Sequence, residues 1–209
     1  MLTKKKILVV LIIAMLTSAS PLCAAADTKS PDPHKDTSVL VEAFVVKVTT
    51  AALTESRVNP IAKAPDGISI TNILWCLRDP EKGKVISGAK VTSQHHNEAK
   101  TEQKKSIYIK DIPSRGRYRS YSESKSFTVR PRITTDEKIS VSYIYSETIF
   151  LPENNPEYNK EGSRPLDMAE YEWQGSLTAK SGIPQIVGAN QDNDSIVFLI
   201  ITATIQNPK

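Results

Sequence analysis

The sequence predicts a mainly β (α+β) fold, a mixed or antiparallel sheet of about seven or eight strands with one or two short helices. Three observations predict it. Segments dense in β-branched residues recur, the strongest being VLVEAFVVKVT at 39–49 and IVFLIITATI at 196–205. Period-two alternation, sharpest in KISVSYIYSETIF at 138–150, gives a sheet with one wet face. Thirteen Pro and eight Gly punctuate the chain, which suits short elements joined by turns. A length of 209 residues fits one domain behind a leader, and 39% hydrophobic content is too high for a disordered chain.

The leader comes first. Lys4, Lys5 and Lys6 precede an apolar run from Ile7 to Leu16, and Ala24-Ala25-Ala26 form a small-residue exit. This is the pattern of a secretory signal peptide over residues 1–26. Its apolar run falls well short of the ~20 residues a spanning helix needs. Cys23 invites lipidation, but Pro21 and Leu22 stand where a lipid-attachment site wants a small residue. Three of the 27 Lys and Arg lie in this leader and none of the 23 acids does, so 24 against 23 leaves about +1 without it. The one candidate basic stripe, Arg115, Arg117 and Arg119, is interrupted by Gly116 and Tyr118 in an expected loop, so no nucleic-acid partner is predicted. Cys76 is then the one cysteine left, in the apolar run ILWCL, where it reads as a small buried residue.

Residues 27–38 are polar and read as a flexible tether, followed by a β domain over 39–207. Val39 to Thr49 is mostly apolar on both faces, as an interior strand would be, with Lys47 at the end of one face and Glu42 in an unusual place on the other. Ala51 to Pro65 is turn-prone. Ile68 to Leu77 fits helix or strand, and the spacing of Ile70, Ile73, Leu74 and Leu77 favours a short helix capped near Thr71 or Asn72. Lys84 to Gln94 is a strand with Gly88 as a β-bulge. Lys105 to Ile112 is a strand with Ile107 and Ile109 on one face. In Lys125 to Ile133, Pro131 lacks a donor, so that strand is expected at an edge or to end there.

After the strand at 138–150, Leu151 to Tyr171 reads as a long polar surface excursion. The last block is read as a strand from Trp173, a Ser181-Gly182 turn, a short strand to Gly188 and a polar turn over Ala189 to Asp194. A final strand from Ile196 to Ile205, apolar on both faces, is expected to be the most buried.

No catalytic constellation stands out, so an enzyme is not predicted and neither a cofactor nor a metal is expected. His95 and His96 are adjacent, which on a strand sends them to opposite faces, and Glu98 is the one acid nearby. His34 lies in the tether. There is no Gly-rich phosphate loop and no Gly-x-Ser-x-Gly elbow. The acid pairs Asp136-Glu137 and Glu170/Glu172 are accounted for by solvation.

Four of these segments, in order, resemble the core of the bacterial secretins, the ring-forming outer-membrane channels of type II and III secretion and type IV pili. Val39-Leu40-Val41-Glu42-Ala43 followed by Val45-Val46-Lys47-Val48 is similar to the start of that core. Lys84 to Thr92 with Asn97-Glu98-Ala99 resembles its second stretch, and Phe127 to Ile133 with Asp136 to Ile139 its third. Ser181-Gly182, Ile186-Val187-Gly188-Ala189 and Val197 to Ile201 resemble its short strand, Gly-Gly turn and closing strand.

There are departures. Ala89 stands where the family has Pro, and Ala189 where it has the second Gly. Only Asn190 to Ser195 occupies the place of the gate segment, and the stretch before Val39 is too short for the family's N-terminal ring modules. The resemblance implies a reduced, secretin-like component of envelope protein secretion. It implies self-association into a ring, contacts with other envelope secretion proteins, and a place in the periplasm or outer membrane of a Gram-negative-type bacterium. It also marks Glu42, Gly88, Pro131, Gly182 and Gly188 as structural positions.

A spanning strand needs ~9–11 residues and aromatic girdles. The 138–150 strand, with Tyr143, Tyr145 and Phe150, meets the length. Its expected partner, Arg115 to Val129 with Tyr118, Tyr121 and Phe127, is rich in Ser, Lys and Arg for a lipid face. The alternative is therefore a soluble periplasmic β-module that binds a protein partner and forms no pore. On the residues alone an ordinary soluble sheet is favoured.

Overall fold

The computed structural model describes residues 34–56, 69–110, 118–134, 138–150 and 168–206. All belong to the unit Pro33–Lys209; the unit Met1–Asp32, with the expected leader, lies outside the described residues. So do most of the tether, Arg115 and Arg117, the Asp136-Glu137 pair and positions 57–65 and 151–167 of the two expected loops.

The described residues form eight strands and two short helices. Sheet A has the order β2-β1-β8-β7, from β1 (Ser38–Thr49), β2 (Gly83–Gln94), β7 (Gln185–Asp192) and β8 (Ser195–Gln206). Sheet B is a meander, β3-β4-β5-β6, from β3 (Ala99–Lys110), β4 (Tyr118–Ile133), β5 (Lys138–Phe150) and β6 (Met168–Lys180). The ladders are antiparallel. The sequence suggested a single sheet; the chain divides into two because it crosses from A to B at the turn after β2 and returns after β6.

β8 and the second half of β1 are apolar on both faces because each face has a layer to pack against, whereas the first half of β1 turns half-buried Leu40 and Glu42 and exposed Phe44 outward. Val39, Val41, Ala43 and Val45 of β1 meet Leu199, Ile201 and Ala203 of β8 in a core shared with Phe127, Val141 and Tyr145 of sheet B. On the opposite face Val46, Val48, Phe198 and Ile200 pack under α1 (Thr50–Glu55) and α2 (Ile70–Cys76), with Leu53, Ile73 and the buried Cys76. The order of layers is helices, sheet A, sheet B. α2 settles the open choice at 68–77: Ser69 caps it and Asn72 closes a capping box. α1 falls inside the segment expected to be turn; Thr49 starts it by accepting from Ala52 N–H at 3.3 Å.

Several strands outrun their sequence patterns. β3 begins at Ala99 and β4 at Tyr118, where Lys, Glu and Ser hide the alternation. β6 starts at Met168, so Glu170 and Glu172 are its exposed positions beside buried Tyr171 and Trp173. β7 runs on to Asp192, which shrinks the expected polar turn to Asn193 and Asp194. Pro131 corrects another expectation, since β4 is an interior strand. The β3–β4 ladder stops at Val129, and beyond it the Pro131 carbonyl accepts from His96 N–H at 2.8 Å. The missing donor therefore lies on a flank that β3 has already left. The β2 bulge is at Ile86, not Gly88, because the register passes from Val45↔Ser87 to Val46↔Val85.

Candidate functional site

Sheet B carries the most distinctive surface. Among the described residues no strand pairs with the outer edge of β3 or of β6. The β3 edge bears Lys100, Lys104 and Lys105 against one acid, Glu102; the β6 edge bears Glu170 and Glu172 toward its start and Lys180 at its end. Lys100 and Lys104 clamp Glu102 at 3.0 and 3.2 Å, and hydrogen bonds from their ammonium groups hold its carboxyl below the usual range. The registers set Lys104, Ser124, Thr148 and Glu170 in one row across the sheet. The two edges thus present opposite charge at the same height. Sheet A differs at its matching corner: Lys125 of β4 donates from Nζ to Gly88 O at 2.6 Å and to Ser87 Oγ at 3.3 Å, which occupies part of the β2 edge.

That lysine belongs to a polar seam between the sheets. Tyr145 donates its hydroxyl to Glu147 Oε2 at 3.0 Å and lies 3.4 Å from Ser87 Oγ. Glu147 is 5% exposed, and Lys125 is its cross-strand neighbour in the ladder. Burial pushes the Tyr145 phenol well above its ordinary value, and Tyr143 moves the same way for the same reason. The signal for these residues was present in the sequence. Lys125 shares a face with Phe127 and Val129, and Glu147 with Tyr143 and Tyr145, so each is a charge on a dry face.

The five residues marked by the resemblance fall in three places. Glu42 pairs with Lys90 at 3.2 Å and shares a hollow of about 330 Å³ with Phe44, Gly88, Thr101 and Lys125. At Gly88 an added Cβ would sit 3.3 Å from Phe44 Cδ1, so glycine makes room for that ring. Pro131 lies at the A-to-B crossing. Gly182 and Gly188 lie at the return: Gly182 has φ +76° and donates to Ala203 O at 2.8 Å, while an added Cβ at Gly188 would fall 2.3 Å from Trp173 Cδ1. The Trp173 indole therefore lies directly on the β7 backbone, next to the bulge that sets Val187 out of register. Tyr143 reaches the same place, its hydroxyl donating to Val187 O at 3.2 Å.

No group of three or more His, Cys, Asp and Glu among the described residues has the placement to hold a metal ion. His95 and His96 sit in a turn rather than on a strand, so their rings meet edge to face with centroids 4.0 Å apart instead of pointing to opposite faces. No helix among the described residues is long and apolar enough to cross a membrane, which says nothing about strands.

No protein-family model matches the chain, and no curated protein matches its sequence. In structure it is similar to bacterial secretins. With the Salmonella SPI-1 type III injectisome secretin InvG it shares 10% identity at a TM-score of 0.47, over 83% of this chain and 66% of that one. With the type II secretin GspD of enteropathogenic Escherichia coli the values are 10% and 0.47, over 82% and 70%. With the Vibrio cholerae type IV competence pilus secretin PilQ they are 9% and 0.43, over 82% and 61%. The chain thus spans about two thirds of the length of these structures.

Proposed function

We propose that this chain is a secretin-like component of envelope protein secretion, built as a homo-oligomeric ring at or near the outer membrane and lacking the usual gate segment. The observation that carries the ring is sheet B itself. It has two open edges of opposite charge, and because it holds an even number of strands, β6 of one copy meets β3 of the next antiparallel, continuing the meander. Such a head-to-tail contact closes into a ring when the rotation per copy permits. The secretin part is supported by the collinear segments, which fall on β1, β2, β4–β5 and β7–β8. In place of a gate, β7 and β8 are joined by the tight turn Asn193-Asp194, tied down by Thr50 N–H to Asp194 O at 2.9 Å and Lys47 to Asp192 at 2.7 Å. Export by the leader and partnership with other secretion proteins belong to the same proposal.

Electron microscopy of the detergent-extracted full-length chain tests it. Annular particles of uniform diameter are expected; single small particles at every concentration would sink the ring.

One observation favours the alternative, a soluble periplasmic module that binds a protein through a sheet edge and forms no pore. The outer face of sheet B carries Ser120, Ser122, Ser126, Thr128, Ser142, Ser146, Ser176 and Thr178, and its inner face packs on sheet A. That leaves this stretch of sheet with water on its open side and no apolar band for lipid.

A further inference from the structure

The fold gathers the three histidines of the chain at one corner. His34 lies in the turn before β1, and His95 and His96 begin the turn that carries the chain from sheet A to sheet B. The ring centroids of His34 and His95 are 5.9 Å apart, and those of His95 and His96 4.0 Å. His95 is 7% exposed, and its Nδ1 accepts the Ile133 N–H at 2.9 Å. The same turn donates His95 N–H to Thr37 O at 3.0 Å and His96 N–H to Pro131 O at 2.8 Å, and His96 O accepts from Arg130 Nε at 3.1 Å. One turn therefore ties the segment before β1, the crossing and the end of β4.

Of these bonds, the one to the His95 ring depends on protonation within the physiological range. A neutral imidazole offers Nδ1 as an acceptor; a protonated one has none left to offer. The elements packed around this turn carry Lys35 and Asp36 beside His34, Glu98 in the turn itself, Arg130 and Arg132 on β4, and Lys138 at the start of β5. Among the described residues, four fixed cations stand against two carboxylates there.

We propose that His95 is an acid-sensitive clasp. Neutral, it locks the crossing onto the end of β4; protonated, it releases the Ile133 N–H and loosens the corner where the two sheets join. Opening takes up a proton, so the corner weakens as pH falls through the ordinary imidazole range, about 6.5. The inference stands whether or not the chain forms rings.

The test is backbone amide exchange on the full-length chain by NMR between pH 7.5 and 5, corrected for intrinsic rates. Ile133 protection is expected to fall roughly tenfold per pH unit once His95 titrates, as a one-proton linkage requires, while Val41 and Leu199 in the centre of sheet A hold theirs. His95→Asn keeps an oxygen acceptor near the Nδ1 position and does not titrate, so its Ile133 profile should be flat. A flat profile in the wild type, or the same fall in H95N, would overturn the clasp. If H95N does not fold, imidazole ¹⁵N shifts of the wild type decide. The Ile133 N–H bonds the neutral ring, so a His95 Nδ1 acceptor signal held to a pH below the ordinary imidazole value of about 6.5 while Ile133 protection falls supports the clasp, and loss of that signal at or above the ordinary value contradicts it.

Discussion

At the residue scale, two glycines at the same end of the fold do different work. Gly188 is held by space: a methyl group there strikes the Trp173 indole, whose Nε1 has no hydrogen-bond partner among the described residues. Gly188→Ala should destabilise by about 1–3 kcal/mol through overpacking, read as a lower urea midpoint at unchanged slope. In a Trp173→Ala background most of that cost should vanish, as a double-mutant cycle would register. Gly182 is held by backbone shape, with φ +76° and open space around it. Gly182→Ala should cost about 1–2 kcal/mol in either background.

Tyr145 gives a second residue-scale prediction. Its phenol is raised by burial, so its contribution to stability is complete below the ordinary tyrosine value of about 10 and is lost as pH rises beyond it. Tyr145→Phe should remove a large part of the alkaline loss seen in urea midpoints between pH 9 and 11, with Tyr143, Lys82 and buried Cys76, raised as well, supplying the remainder. At neutral pH the same change takes the hydroxyl from buried Glu147 and should cost about 2 kcal/mol.

At the scale of elements, what the sequence shows depends on how cleanly burial alternates. β5 is legible to its boundaries because Ile139, Val141, Tyr143 and Tyr145 are buried on one face while Ser142 and Ile144 are exposed on the other. β8 and the second half of β1 are legible as interior because three layers bury both of their faces. The starts of β3 and β4, at opposite ends of their ladder, are not, because Lys, Glu, Gln, Ser and Thr there break the apolar alternation. Gly88 misled for a physical reason: a glycine in a strand signals either a bulge or a close approach, and here Phe44 approaches while the bulge sits at Ile86. The seam was legible only as charges on dry faces, since its partner Ser87 comes from the other sheet. The short helix α2 offers a check on capping: Ser69→Ala should cost about 1 kcal/mol, read from the same urea transitions.

At the scale of the whole molecule, two sheets of four strands differ in what their edges can do. Lys125 occupies part of the β2 edge of sheet A, whereas the row from Lys104 to Glu170 leaves sheet B with a basic edge and an acidic edge at one height. If assembly runs through that row, Glu170→Lys should dissociate the particle into single chains, and adding Lys104→Glu to the same chain should restore it. The opposite charges again meet in the double variant, which separates a specific contact from general loss of fold. The most direct measurement of the central claim is the mass of the wild-type, detergent-extracted full-length chain by light scattering after size exclusion. Head-to-tail closure through β3 and β6 predicts one discrete species many times the 23.1 kDa of the single chain. A single-chain mass at every concentration would contradict it.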